Sequence, residues 1–199
     1  MNKEKIAIAC DHAGYSLKLT IKELLTHKGF EVEDLGTNSS ASVDYPDYGQ
    51  LVAQKIVSEE VKRAILICGT GIGMSITANR FMGVRAALCN DSYSARMSRL
   101  HNDSNVLVIG GRVVGPALAE DIVSVWLDTA FEGGRHTRRV EKIDKDRVEK
   151  VVHRVVARYL DKIQEVDHQA LEKMVEEAID IVIGENSMAA KKGKKKGGG

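Results

Sequence analysis

The sequence predicts an α/β fold, a three-layer sandwich around a five-stranded parallel sheet, with a helical extension at its carboxyl end. Two observations carry this. Short apolar runs rich in Ile, Val and Ala alternate with longer stretches of helical periodicity, which is the pattern of βαβ units. The runs are apolar at nearly every position, so each strand is covered on both faces and helices must lie on both sides of the sheet.

In chain order the first strand is KIAIAC, residues 5–10, followed by a helix over 14–28. EVEDL (31–35) is the second strand and 46–58 its helix. RAILIC (63–68) leads through a glycine-rich turn into a short helix over 72–80. VRAALC (84–89) with a helix over 92–100, and NVLVIG (105–110) with a helix over 116–130, complete the set. Crossovers of this kind are right-handed, so the sheet is Rossmann-like. Ligands of such sheets bind beyond the carboxyl ends of the strands. Cys10 with Asp11 and His12, Cys68 with Gly69 to Gly73, Cys89 with Asn90 and Asp91, and Gly110 with Gly111 and Arg112 should therefore line one edge.

Composition narrows the function. With 199 residues, 43% hydrophobic and 29% charged, the chain can bury one full core. No run approaches the roughly 18 apolar residues of a membrane span, and MNKEKIAIACDH becomes charged too early for a secretory signal, so the cytoplasm is the expected compartment. Three cysteines without CxxC spacing argue against a disulfide framework or a structural zinc site. The net charge is +1, but the five lysines of KKGKKK leave the rest of the chain at −4, a sign unsuited to nucleic acid.

Cys68 stands where chemistry is expected. Buried free thiols are usually small hydrophobes, which is the reading for Cys10 and Cys89. The turn after Cys68 differs: Gly69, Gly71 and Gly73 can bare backbone amides, and a helix begins near Ile72. A helix N-terminus is an environment that lowers a thiol's pKa from about 8.5 toward neutrality, making it a base or a nucleophile. A dinucleotide fingerprint wants a small residue where Met74 stands, although Asp91 lies at a suitable distance. A P-loop needs a lysine that is missing. What remains is a cradle for a small oxyanion beside a thiol.

CDH (10–12), DYPDY (44–48), ICGTGIGMSITANR (67–80), RLHND (99–103), GGRVVG (110–115) and EGGRHTRRV (132–140) together resemble the ribose-5-phosphate isomerase B family, which includes galactose-6-phosphate isomerase subunits. The resemblance runs from about residue 4 to about residue 145. It implies that Cys68 takes the C2 proton of an open-chain aldose phosphate and returns it at C1. It further implies that Thr70 and the backbone of Gly69, Gly71, Ile72 and Gly73 hold the cis-enediolate, that His101 opens the sugar ring, and that Asn102 contacts the sugar. Asp11, His12 and Tyr45 match further substrate positions, and Arg112, Arg135 and Arg139 match phosphate-binding arginines. The site is implied to be shared across a homodimer, with a tetramer left open. Some relatives carry a carboxylate at the position of Ser75, so this chain resembles the cysteine-type subgroup.

The implied reaction is the interconversion of ribose 5-phosphate and ribulose 5-phosphate, without cofactor or metal. Allose 6-phosphate, galactose 6-phosphate or an unphosphorylated sugar are alternative substrates. Outside enzymology the alternatives are a nucleotide-binding module or a protein that holds a partner through its basic tail. Proton transfer between adjacent carbons needs a base that alternates charge near pH 7, and a dry row of amides stabilises an enediolate. Ring opening suits an imidazole, which titrates near 6.5. Arg135 and Arg139 share a helical face, as any solvated basic face would. His27, His136, His153 and His168 receive no role, and His136 is as well placed to face water as a ligand.

Residues 1–145 are thus expected to form the isomerase domain, 146–185 a dimer-wrapping helical extension with apolar stripes from Val148 and from Leu171, and 186–199 a disordered Lys/Gly-rich tail.

Overall fold

The computed structural model describes residues 3–143 and residues 172 and 173. The strands are β1 (Lys5–Cys10), β2 (Glu31–Asp34), β3 (Arg63–Cys68), β4 (Ala86–Leu88) and β5 (Val106–Gly110). The helices are α1 (Tyr15–His27), α2 (Tyr45–Val57), α3 (Ile72–Ala78), α4 (Ser92–Asn102) and α5 (Pro116–Asp128). All pairings are parallel, in the order β2-β1-β3-β5-β4. The five strands and five helices predicted between residues 5 and 130 are present in the predicted order. The expected wrapping helices from residue 146 and the tail lie outside the described residues, apart from residues 172 and 173, which are helical. No described helix is long and apolar enough to cross a membrane.

Alternation along the strands divides the core in two. Ile6, Ile8 and Cys10, Ile65 and Ile67, and Leu107 and Ile109 pack with Leu17, Ile21 and Leu25 of α1, Ala95 of α4 and Ile122, Val123 and Trp126 of α5. Ala7 and Ala9, Leu66 and Cys68, and Val106 and Val108 pack with Val52 and Ala53 of α2 and Met74 and Ala78 of α3. Helices therefore cover both faces, as uninterrupted apolar strands require.

β4 is shorter than VRAALC suggested. Val84 N–H bonds Phe81 O in a turn, and Arg85 N–H is taken by the Asn105 side chain, so the ladder starts only at Ala86. α5 stops at Asp128, before the predicted 130, because Thr129 is already extended.

The chain starts in the middle of the sheet, runs outward to β2 and returns across β1 to β3. This reversal opens a crevice at the carboxyl ends of β1 and β3, the ligand position of doubly wound sheets.

Candidate active site

Three loops meet in that crevice. After β1, Asp11 Oδ1 accepts the amides of Ala13 (2.9 Å) and Gly14 (3.0 Å), which folds the loop tightly into α1. After β3 comes the glycine turn, and after β5 Gly111 N–H bonds Cys68 O at 2.7 Å while Arg112 N–H bonds Gly69 O at 3.0 Å. A side chain on Gly69 would lie 3.6 Å from Ala13 Cβ and 3.8 Å from Arg112 Cδ, so the loops close around this bare backbone. His12 Nδ1 accepts Val43 N–H (3.3 Å), tying the approach to α2 to the same place. Tyr45, the first residue of α2, is half exposed, and its ring would collide with any Cβ on Gly73 at 2.6 Å.

Cys68 is 4% exposed, and its Sγ accepts the amide of Gly71 at 3.2 Å. Gly71 has φ +79°, and this left-handed turn is what aims the N–H back at the sulfur. The expectation that all the turn amides face a ligand needs correction. Gly71 N–H is used on Cys68, and Ile72 N–H on Thr70 Oγ1 (3.3 Å). The amides of Gly69, Thr70, Gly73 and Met74 have no partner among the described residues. The Ile72 side chain is 54% exposed. Met74 is fully buried beneath α3, against the small residue that a dinucleotide fingerprint wants there.

The other two thiols are buried as expected. Burial pushes Cys10 up to about 12 and Cys89 up to about 11. Cys10 points into the α1 side of the core, away from Cys68.

The remaining predicted residues are elsewhere. α4 is capped by Asp91, beyond the carboxyl end of β4, and runs back across the sheet. Its far end is pinned near the start of β4, where Arg85 Nε donates to Asn102 O (3.1 Å) and Asp103 O (2.9 Å). His101 and exposed Asn102 thus stand at the opposite edge from Cys68. Arg135 and Arg139 stand there too, exposed on a helical stretch spanning 135–143. The predicted residues thus fall into two groups at opposite edges of the sheet. The first comprises Asp11, His12, Tyr45, Cys68 to Gly73 and Arg112, and the second His101, Asn102, Arg135 and Arg139.

The second group contains a residue to which the sequence assigned no role. His136 is 3% exposed and stacks on His101, with ring centroids 4.2 Å apart and planes 7° from parallel. Arg135 Nε donates to His136 Nε2 (3.3 Å), and Glu132 Oε2 lies 3.9 Å from His101 Nε2. The available signal was that His136 and Val140, four apart, share a helical face inward of the arginines. His101, Glu132 and His136 bring potential ligand atoms within 4.8 Å of one another. Stacked rings direct their in-plane lone pairs side by side rather than toward one point, and Arg135 occupies Nε2 of His136, so this cluster is poorly built for a metal.

Comparison with known sequences decides the relationship. The ribose/galactose isomerase profile matches residues 6–143. The chain belongs to that family. Among its relatives, ribose-5-phosphate isomerase B of Escherichia coli is 54% identical over 140 residues, covering 70% of this chain and 94% of that protein. The D-erythrulose-4-phosphate isomerase of Pectobacterium atrosepticum is 45% identical over 139 residues, covering 69% and 91%. The solved structure of Clostridium thermocellum ribose-5-phosphate isomerase B superposes with TM-score 0.71 at 55% identity, covering 72% of this chain and 97% of that one. As a member of the ribose/galactose isomerase family, the chain is an isomerase of the ribose-5-phosphate isomerase B type, and the six motifs read from its sequence fall within the matched region.

Proposed function

We propose that this isomerase interconverts ribose 5-phosphate and ribulose 5-phosphate by proton transfer through a cis-enediolate, in a site completed by a second copy of the chain. The observation that carries it is the Gly71 amide donating to Cys68 Sγ at 3.2 Å beside unpartnered amides of the same turn. The donor fixes the sulfur at the mouth of the turn, and free amides beside it suit a developing oxyanion.

The reaction begins at the His101 end. His101 takes the proton of the anomeric hydroxyl as the C1–O4 bond breaks and O4 is protonated, which frees the aldehyde. Cys68 thiolate then removes the C2 proton, and the C–H electron pair becomes the C1–C2 double bond while charge moves onto O1. Thr70 Oγ1 accepts Ile72 N–H, which leaves its hydroxyl proton for a substrate oxygen. The amides of Gly69, Thr70, Gly73 and Met74 serve the same oxygens. The proton on sulfur returns to C1, O2 loses its proton and O1 gains one, giving the ketose. Arg112, Arg135 and Arg139 bind the phosphate as charge-assisted forks. His12, Asn102, Tyr45 and the second oxygen of Asp11 line the sugar. The steps use acids, bases and dipoles of the protein, so neither metal nor cofactor is required.

The erythrulose-phosphate relative favours a second substrate reading, a four-carbon phosphate in the same site. Both readings are tested by NMR in heavy water with a chelator present. Ribose 5-phosphate, erythrulose 4-phosphate, allose 6-phosphate, galactose 6-phosphate and free ribose are each offered to the wild type and to Cys68→Ala. Ribose 5-phosphate should be turned over fastest, with deuterium entering C2 of the recovered aldose. Cys68→Ala should lose about 10³-fold of turnover, in the range of a lost general base, while still binding inorganic phosphate. Faster turnover of another sugar reassigns the substrate, and activity surviving in Cys68→Ala removes the thiol from the mechanism.

A further inference from the structure

The buried imidazole beneath His101 has no part in the mechanism above, yet it touches two groups that do. We propose that His136 is a positioning residue with two separable functions: its ring face fixes the plane of His101 for ring opening, and its Nε2 fixes Arg135 for the substrate phosphate. The inference rests on the isomerase reading and deepens it.

The geometry divides the functions. A ring 4.2 Å away and 7° from parallel restricts His101 to tilts that keep the stack, so its nitrogens sweep only within their own plane. Glu132 Oε2, 3.9 Å from His101 Nε2, then selects one orientation within that plane. The edge of His136 acts independently of its face. Arg135 has no acceptor of its own and donates from Nε to His136 Nε2 (3.3 Å), which requires that nitrogen to carry a lone pair. The proton of a neutral His136 therefore sits on Nδ1. Burial holds His136 below the usual imidazole range, with His101, Arg135 and Arg139 acting in the same sense and Glu132 opposing them. A neutral ring stacks on a charged or uncharged His101 without repulsion, so the platform serves His101 in both protonation states.

The two functions separate by substitution and by substrate. His136→Gln keeps an acceptor near the position of Nε2 but removes the stacking face. His136→Phe keeps the face and removes the acceptor. Ribulose 5-phosphate has its O5 phosphorylated and no ring to open, so exchange of its C1 proton in heavy water reports the enediolate chemistry alone. Conversion of ribose 5-phosphate needs ring opening as well. His136→Gln should lose about tenfold or more in kcat for ribose 5-phosphate, as a misplaced catalytic group does, with a much smaller loss of C1 exchange. His136→Phe should raise KM for ribose 5-phosphate by about tenfold with kcat little changed, as loss of a binding contact common to ground and transition states does.

Parallel loss of conversion and exchange in His136→Gln, identical profiles for the two variants, or no change in either would overturn the assignment. If the substituted chains do not fold, the ring 15N shifts of wild-type His136 decide the point. The Nδ1–H tautomer is expected, and an Nε2–H ring would remove the contact to Arg135. Absence of C1 exchange in the wild type would instead refute the isomerase mechanism, a result distinct from every outcome assigned to His136.

Discussion

Cys10 and Cys68 end neighbouring parallel strands, yet their side chains enter opposite faces of the sheet. Cys10 is fully enclosed on the α1 side, where burial holds its thiol at about 12, whereas Cys68 receives the Gly71 amide on the α3 side. Iodoacetamide at neutral pH should therefore modify Cys68 before Cys10 or Cys89, with loss of activity and protection by inorganic phosphate. Peptide mapping that found Cys10 or Cys89 labelled first would contradict this.

A side chain at Gly71 would be strained. Its φ is +79°, and an added Cβ would sit 2.3 Å from Leu88 Cδ1 and 3.2 Å from the backbone carbon of Ile109. Gly71→Ala should destabilise the fold by about 2 kcal/mol through left-handed strain and the clash, and should lower kcat further by moving the N–H off the sulfur. Urea unfolding and steady-state kinetics read the two effects. An alanine variant as stable as wild type would show that the turn relaxes at no cost.

The sheet was legible because Ile, Val and Ala runs such as KIAIAC and RAILIC are apolar on both faces, and that signal is local. Its edge was less so. Whether Arg85 joins β4 depends on Asn105, 20 residues further along and outside any local window. Cys68 and its glycines were legible for the same local reason, since strand, turn and helix follow one another in sequence. His136 was not. Its burial depends on where the 135–143 helix meets the end of α4, and an imidazole flanked by arginines reads as a wetted surface until that meeting is seen.

Acid should weaken the protein through Asp34. Lys18, 1% exposed, donates to Asp34 Oδ1 and to Thr37 O, both at 2.8 Å, while Lys22 holds Oδ2 at 3.0 Å. Burial by itself would raise the Asp34 pKa, but the hydrogen bonds from Lys18, Lys22 and Gly36 outweigh it and hold the carboxyl below its usual value. A depressed folded pKa gives stability that is present above the unfolded value, about 3.9, and is lost as pH falls through the folded one. Asp34→Asn should be less stable by about 3 kcal/mol at pH 7, because Lys18 stays buried with its charge unpaired. It should also lose less than wild type as the pH is taken below about 4. Equal acid sensitivity in chemical unfolding of both proteins would exclude Asp34 as the responsible group.

The separation of the Cys68 and His101 groups leads to a test of the proposed assembly. α4 spans Ser92–Asn102, and its 11 residues at 1.5 Å each place His101 roughly 15 Å from the carboxyl edge where Cys68 lies. In the mechanism proposed above, the Cys68 thiol and the His101 imidazole therefore meet one sugar by coming from different protomers. A two-fold dimer would bring each Cys68 edge against the other copy's His101 edge and form two equal sites. Cys68→Ala and His101→Ala should each be inactive alone. Co-expressed in equal amounts, half of the dimers are mixed, and each of these holds one site with both defects and one with none, so about a quarter of wild-type activity should return. Restoration should require co-expression or subunit exchange, and should fail with a double variant carrying both substitutions on one chain. If the mixed preparation stays inactive while size-exclusion chromatography and mass spectrometry verify the mixed dimer, the two groups do not serve one substrate, and the ring must be opened by a group at the Cys68 edge.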